Sequence, residues 1–356
     1  MIKPLTSLRF IFALLVFFSH LQFLENGESN LLNWLYTNIF VEGYIGVSFF
    51  FILSGFIIAY NYQDSILEKK GTVSAFYKKR FARIYPLHIL TFILTLPYAY
   101  NVFVENIYSG IAKALTNLTL TQSFILDREY FFSFNAPSWS ISDEMFFYCL
   151  FPILILKIPS LNRVKKYAVL SFVILFPLIS FFVPESYHRA IFYINPLFRL
   201  VDFVIGIILF NIFRQMSAKK YSAKWNFNII EISVIILFLA FFSFHQYIPQ
   251  AAKYSFYYWI PMSLIVLVFA HQKGIISRLL SNKIFIHLGK LSFGFYLYHQ
   301  IILKYIIFFN HKIYHLNNYQ IIVFVLTFTL LISHFSYKYY EQPMNKYLKK
   351  KMIGEA

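Results

Sequence analysis

Apolar stretches of about 20 residues recur from one end of this chain to the other, and they constrain its fold more than any other feature. Each is long enough to cross roughly 30 Å of hydrocarbon as a helix, which rises about 1.5 Å per residue. Composition agrees, because 59% of the 356 residues are hydrophobic and 13% are charged, whereas about a quarter of the residues of a soluble domain are charged. The sequence therefore predicts an all-α, polytopic integral membrane protein.

Hydropathy predicts ten transmembrane helices. The segment 111–126 is also apolar but is broken by Thr, Asn and Gln, and we interpret it as an interfacial or re-entrant piece. We read the first stretch as an uncleaved helix, since no small-residue cleavage site follows it. The predicted spans lie near residues 5–24, 44–62, 84–104, 138–156, 167–184, 191–213, 228–245, 255–271, 291–310 and 319–340.

Loop charges predict the orientation of these spans. The N-terminus, the C-terminus and the loops on the same side of the predicted membrane together carry 24 Lys and Arg residues. The loops on the opposite side, called the alternate loops below, carry 5. Because cytoplasmic loops are enriched in Lys and Arg, we expect both termini in the cytoplasm. The net charge of +17 does not indicate nucleic-acid binding, since the charges lie between spans and not along one soluble face.

The chain is expected to contain one large domain, a transmembrane domain over 1–345, followed by a short basic cytoplasmic tail over 346–356. Its single cysteine, Cys149, lies within an apolar span, so no disulfide framework is predicted. No internal repeat is evident, which weakens a transporter interpretation without excluding it.

Two ionisable residues flank the apolar run of the first span. Arg9 and His20 are eleven positions apart, close to three helical turns, so their side chains share one helix face. They are separated by roughly 16 Å along the axis. One face of this helix is thus predicted to join the cytosol to a buried imidazole.

The fourth span opens with "PSWSISDEMFFYCLFP". Trp139 suits the outer membrane interface, which places Asp143 and Glu144 near the depth expected for His20. Ionisable groups at membrane depth are functional candidates by default. The alternative is a hydrogen bond between His20 and Glu144 that only joins two helices.

Two further motifs have both a structural and a functional interpretation. Ser54 and Gly55 fall near the middle of the second span, where small residues allow close helix packing or leave room for a slender ligand. Arg80 and Arg83, one turn apart, fit the positive-inside bias or contact with anionic lipid. They also suit a phosphate-bearing ligand, because guanidinium groups match phosphate oxygens.

Four polar residues are predicted to be structural. Arg199 and Asp202 are spaced i, i+3 and are expected to neutralise each other. His299, in "GKLSFGFYLYHQ", is interpreted as a satisfied core histidine. Glu341, in "YYEQP", is expected to pair with an arginine at the start of the third span.

Taken in order, these stretches resemble the acyltransferase 3 family of integral membrane O-acyltransferases, which modify bacterial surface polysaccharides and related glycans. The resemblance rests on the spacing from Arg9 to His20 and on the motifs "FFFILSGF", "RFARIYP", "WSISDEMFFY", "RLVDFVIG", "GKLSFGFYLYH" and "YEQP". Each motif is loose alone, but together they span nearly the whole chain in family order.

The resemblance implies ten core helices in the bacterial cytoplasmic (inner) membrane and acetyl-CoA as the acyl donor, entering from the cytoplasm. It implies that the acceptor is a hydroxyl of a cell-surface polysaccharide or of its lipid-linked precursor. Besides this glycan, membrane lipid is the expected partner, and no metal is expected. Acetyl is the expected acyl group, with a longer acyl group as the open alternative, and the acceptor sugar, the hydroxyl position and the oligomeric state stay open.

By motif, Arg9 and His20 match the essential pair of the family, and Glu144 matches the glutamate of its tryptophan-serine motif. There are two departures, since Ser48 stands where many members have an acid and Asp143 where an apolar or small residue is common. The chain resembles a stand-alone version of the family without a fused esterase-like domain. The other matched residues are Ser54, Gly55 and Phe56 in the small-residue motif and Arg80 and Arg83 in the arginine motif.

The expected mechanism places His20 as the general base on the sugar hydroxyl, oriented by Glu144. An acetyl-histidine intermediate is the open alternative, and a transporter or flippase of a lipid-linked glycan is the alternative function. The remaining expected contacts are donor phosphates at Arg9, Arg80 and Arg83, a donor arm at Ser54 and Gly55, and acceptor contacts at Trp139, Ser140 and Asp143.

Overall fold

The computed structural model describes residues 1–25, 27, 29–157, 179, 182–218 and 225–354. Within these ranges every regular element is helical and no strand is present. The α-helices are α1 (Lys3–Ser19), α2 (Asn30–Asn38), α3 (Gly46–Leu67), α4 (Val73–Thr95), α5 (Tyr100–Glu105), α6 (Ile107–Leu118), α7 (Arg128–Phe131), α8 (Trp139–Lys157), α9 (Glu185–His188), α10 (Pro196–Ala218), α11 (Phe227–Ser243), α12 (Gln250–Tyr254), α13 (Trp259–Ala270), α14 (Ile275–Leu280), α15 (Lys283–Phe309), α16 (Asn318–Ser336) and α17 (Gln342–Ile353).

Six helical stretches in the described part of the chain are long and apolar enough to cross a membrane. This supports a multi-pass membrane protein, but it does not establish the predicted number of ten spans. Helix α1 has 17 residues and α11 also has 17, slightly short of a typical span of about 20. The predicted span 167–184 falls almost entirely outside the described residues. The six stretches are 30–67, 136–157, 196–218, 250–270, 283–314 and 318–353.

Helix α4 begins earlier than hydropathy predicts. Its first residue is Val73, and the side chain of Thr72 caps it by accepting a hydrogen bond from the Ala75 N–H at 3.1 Å. The charged run that includes Arg80 and Arg83 is therefore helical, and the two arginines lie within a rigid element. Hydropathy missed this helical start because charged residues lower the local apolar average.

Helices α3 and α10 approach closely at two glycines. A Cβ atom at Gly55 would lie 2.0 Å from the carbonyl oxygen of Phe203, and one at Gly206 would lie 2.0 Å from that of Ile52. Neither position can hold a larger side chain without moving the backbone. The small-residue motif of α3 therefore serves helix packing at Gly55.

A buried ion pair ties α10 to its neighbours. Arg199 lies 2.6 Å from Asp202 one turn away, which confirms the predicted neutralisation. The same guanidinium donates to the Ser48 hydroxyl at 2.7 Å and to the Tyr254 carbonyl at 2.5 Å. Trp259 donates its indole N–H to Asp202 at 2.5 Å. Pairing and hydrogen bonding together offset the cost of burying the charges.

Both described chain ends lie at the end of the bundle that contains Arg9. The Lys3 N–H donates to the Gln272 side chain at 3.1 Å, and the Lys78 ammonium donates to the Met352 carbonyl at 2.9 Å. The segment predicted as a tail is helical up to Ile353, as part of α17, which packs on α4.

Candidate active site

Three cavities follow one another along helix α1. The terminal cavity, about 310 Å³, is lined by Met1, Arg9 and Lys290 among others. The central cavity, about 150 Å³, shares Arg9 and Arg83 with it. The histidine cavity, about 690 Å³, is lined by His20 and other residues. The row therefore runs from the arginine end of α1 to its histidine end.

Among the described residues, two line both the central and the histidine cavities, namely Val47 and Tyr296. The Tyr296 hydroxyl lies 2.9 Å from the Ser140 hydroxyl and donates to the Pro137 carbonyl at 3.3 Å. Its side chain is buried. Tyr296 is thus a wall between the two cavities, held in place by the start of α8.

Glu144 lies in the central cavity, on the α3 side of helix α8. Its Oε1 accepts hydrogen bonds from the Ser54 hydroxyl, at 2.8 Å, and from the Tyr148 hydroxyl. Arg80 lines the same cavity and donates to the Tyr62 hydroxyl at 2.7 Å. Its guanidinium carbon lies 5.8 Å from the centre of the Tyr148 ring. A carboxylate and a guanidinium thus share one small space.

Arg83 has weak partners. Its guanidinium lies 4.0 Å from the Glu341 carboxylate, which confirms the pairing predicted for Glu341. This distance is too long for a hydrogen bond, and both carboxylate oxygens of Glu341 lack a hydrogen-bond partner among the described residues. Arg83 therefore keeps donors available for a ligand in the terminal or central cavity.

His20 directly follows the last residue of α1 and pairs with a second histidine. Its Nδ1 lies 3.0 Å from Nε2 of His299, and Nδ1 of His299 lies 2.6 Å from the carbonyl oxygen of Tyr296. Because a carbonyl oxygen only accepts, Nδ1 of His299 carries the proton, and its Nε2 accepts the Nδ1–H of His20. This chain leaves a lone pair on Nε2 of neutral His20.

In the structure, the side chain that contacts the His20 ring is His299, whereas the sequence predicts Glu144 as its partner. Glu144 is five residues beyond Trp139 on α8, roughly 7.5 Å along the axis, and lines the central cavity while Trp139 lines the histidine cavity. The sequence predicts the depth of Glu144 in the membrane, but it does not predict the direction in which its face of the helix points. His299, taken as a core residue, is buried as expected and also contacts His20.

The other predicted site residues divide between the cavities and the packed interior. Gly55 and Asp143 line none of the three cavities, since Gly55 packs on α10 and Asp143 is fully buried. The residues that line a cavity are Arg9, Ser54, Arg80, Arg83, Ser140 and Glu144 in the central one and His20 and Trp139 in the histidine one.

The histidine cavity has the size and lining of a ligand site. Its volume of about 690 Å³ falls in the range of pockets that bind small organic molecules. Trp139, Tyr193 and Tyr254 are among its lining residues, and aromatic side chains pack well on molecules that are apolar on one side and polar on the other. No group of three or more His, Cys, Asp or Glu that could hold a metal lies within the described ranges.

These features define a class: a helical, multi-pass membrane protein with a row of interior cavities that runs from arginines to a histidine. Comparison with known families is more specific. The family described as "Acyltransferase domain" matches residues 3–337, and the chain belongs to this family of acyltransferases.

Two relatives illustrate the similarity. The chain is 30% identical over 323 residues to Acyltransferase MdmB of Streptomyces mycarofaciens, which covers 85% of this chain and 79% of that protein. It is 24% identical over 328 residues to a Staphylococcus aureus (strain COL) protein, SACOL0978, whose name designates an O-acetyltransferase. The chain spans about half of that relative, 53% of its length. No solved structure matches the chain.

Proposed function

We propose that this acyltransferase transfers an acetyl group from acetyl-CoA to a hydroxyl of a cell-surface polysaccharide or its lipid-linked precursor. The observation that carries the proposal is the row of cavities that begins at Arg9 and Arg83 and ends at His20. The names of the relatives support O-acyl transfer. The excess of Lys and Arg on the Arg9 side supports a cytoplasmic position for this end.

The donor would enter at the terminal cavity. Arg9, Arg83 and Lys290 line that cavity and supply donors for phosphate oxygens. The central cavity is narrow, about 150 Å³, which suits a flexible chain and not a nucleotide. The roughly 16 Å from Arg9 to His20 along α1 matches the length expected of a pantetheine arm. Ser54 and Glu144 would line its path, and Glu144 would hold Ser54 and Tyr148 in place.

His20 would act as the general base from the histidine cavity. Its Nε2 takes the proton of the acceptor hydroxyl while the hydroxyl oxygen attacks the thioester carbonyl. The tetrahedral intermediate then expels the thiolate, which takes the proton back from Nε2. The products are the O-acetyl ester and CoA with a free thiol. Attack by Nε2 itself, giving an acetyl-histidine, is the variant that the same geometry allows.

His299 would be a positioning residue for this step. It accepts the Nδ1–H of His20, so it fixes the ring orientation and the tautomer. When His20 becomes an imidazolium, the same hydrogen bond becomes charge-assisted and therefore stronger. In this proposal His299 takes the orienting role that the sequence assigned to Glu144.

Transfer also requires a path past Tyr296. Its side chain separates the donor path from the histidine cavity, so it must turn away from Ser140 before a thioester reaches His20. A wall of this kind would keep water on the His20 side away from the thioester until the acceptor is bound.

The proposal is tested by replacing His20 and following the glycans. Membranes that contain His20→Ala protein are expected to add no acetyl mass to surface glycans by mass spectrometry, although the protein accumulates normally. His311→Ala is the matched control, because His311 is exposed and lines none of the three cavities. Normal acetylation by His20→Ala protein would overturn the base assignment. A flippase would instead change the amount of glycan exported without changing its mass.

A further inference from the structure

Most of the few Lys and Arg residues in the loops opposite the predicted cytoplasmic side lie around one cavity. Of the five Lys and Arg residues in the alternate loops, Arg128, Arg189 and Lys253 line the histidine cavity, and Lys304 of α15 joins them. The positive-inside bias depletes cations from this side of a membrane. The four nevertheless come from distant segments of the chain and line one cavity, with Arg128, Arg189 and Lys304 exposed.

Two carboxylates in the cavity wall already have cationic partners. Glu42 pairs with Lys253 at 3.3 Å, and it also accepts hydrogen bonds from the Tyr258 and Tyr44 hydroxyls at 3.0 and 3.2 Å. Glu129 pairs with Lys113 at 2.7 Å. Neither carboxylate is left over to balance the other cations of the cavity.

Three cations of the cavity remain without an acidic partner. Within the described ranges no carboxylate lies within ion-pair distance of Arg128, Arg189 or Lys304. The Arg189 guanidinium lies 4.9 Å from the centre of the Phe132 ring, and the Lys304 ammonium lies 4.6 Å from that of Tyr98. An aromatic face attracts a cation without neutralising its charge.

We infer that the acceptor is an anionic glycan, carrying a phosphate or carboxylate group near the hydroxyl that is acetylated. The unpaired guanidinium groups match such an oxyanion, because both can form two parallel hydrogen bonds. Trp139 and Tyr254 line the same cavity and would contact the sugar. This inference rests on the proposed function and adds the charge of the substrate to it.

Binding of small probes tests the charge preference separately from catalysis. The full-length protein in phosphatidylcholine nanodiscs is titrated with glucose, glucuronate and glucose 6-phosphate, and binding is followed by ligand-observed NMR. At least one anionic probe is expected to bind about tenfold more tightly than glucose, as expected for one charge-assisted contact. The tighter of the two anions identifies the oxyanion as carboxylate or phosphate.

Variants link the preference to these cations. Arg189→Gln and the double variant Arg189→Gln, Lys304→Gln are expected to bind all three probes equally. Lys312→Gln is the matched control, because Lys312 is a cation of the alternate loops that lines none of the three cavities. It is expected to keep the full preference. Equal binding of glucose and both anions by the unaltered protein, or a preference that survives in the double variant, would overturn the inference.

Two further arms separate the alternatives. Nanodiscs with phosphatidylglycerol test whether lipid headgroups occupy these cations, and loss of the sugar preference there would assign the cations to lipid and overturn the inference. Acetyl transfer is measured on the same samples. Equal transfer to glucose and to the anionic probes would overturn the anionic substrate but leave the proposed function intact. A charge preference without any transfer would support the anion site and count against the proposed function.

Discussion

Replacing His299 tests how the imidazole of His20 is oriented. His299→Leu removes the acceptor of the His20 Nδ1–H, which lies 3.0 Å away, and keeps an apolar side chain of moderate size. A hydrogen bond to a charged group contributes about 1.5–3 kcal/mol. If this bond strengthens when His20 takes the proton, its loss lowers kcat by about 10- to 150-fold, since about 1.4 kcal/mol corresponds to a factor of ten.

The KM for acetyl-CoA separates a positioning role from a general loss of structure. His299 lines neither the terminal nor the central cavity, so the variant is expected to bind acetyl-CoA normally. His299→Gln offers a side-chain oxygen to Nδ1–H and is expected to recover part of the lost kcat. The assay is release of CoA thiol by purified protein with acetyl-CoA and acceptor.

His88→Leu is the matched control for this prediction. His88 is as buried as His299, and it also bonds a backbone carbonyl, that of Asn117, at 2.9 Å. It lies outside the three cavities. Its replacement is expected to lower thermal stability by a similar amount and to leave the kcat of the folded protein unchanged. Wild-type kcat in His299→Leu, or an equal fall in both variants, would refute the orienting role.

Three other changes probe the donor path and the packing. Arg83→Gln removes a phosphate donor and is expected to raise the KM for acetyl-CoA by about tenfold or more, whereas an unchanged KM would remove Arg83 from the donor site. Tyr296→Ala opens the wall between the cavities and is expected to speed hydrolysis of acetyl-CoA when no acceptor is present. An unchanged rate of hydrolysis would show that Tyr296 does not separate the thioester from water. Gly55→Ala places a Cβ 2.0 Å from the Phe203 carbonyl oxygen and is expected to cost about 1–3 kcal/mol of stability, measured as a lower melting temperature. A weaker affinity for CoA at unchanged stability would instead favour a ligand role for Gly55.

Local patterns were predictable from the sequence because they depend on helix geometry alone. The spacing of Arg9 and His20 follows from 3.6 residues per turn, and both residues line the row of cavities. The pair of Arg199 and Asp202 is set by i, i+3 spacing in one helix and forms as predicted. The membrane class followed from hydropathy for the same reason, since each span is a local property of the chain.

Contacts between helices were harder to predict because they depend on how each helix is rotated. The sequence placed Glu144 near the depth of His20 and His299 in the protein core. Only the packing of the helices shows that His299 of α15, and not Glu144 of α8, contacts His20. Gly55 could serve packing or a ligand until Gly206 of α10 was found opposite it. The convergence of Arg189 and Lys304 on one cavity likewise joins segments distant in sequence.

A structure of this protein with CoA bound tests the central claim most directly. The account predicts that the phosphate groups contact Arg9 and Arg83, that the pantetheine arm passes Ser54 and Tyr296, and that the thiol lies beside Nε2 of His20. A CoA molecule bound outside the three cavities, or a thiol that ends in the central cavity with Tyr296 still closed in the presence of acceptor, would contradict it.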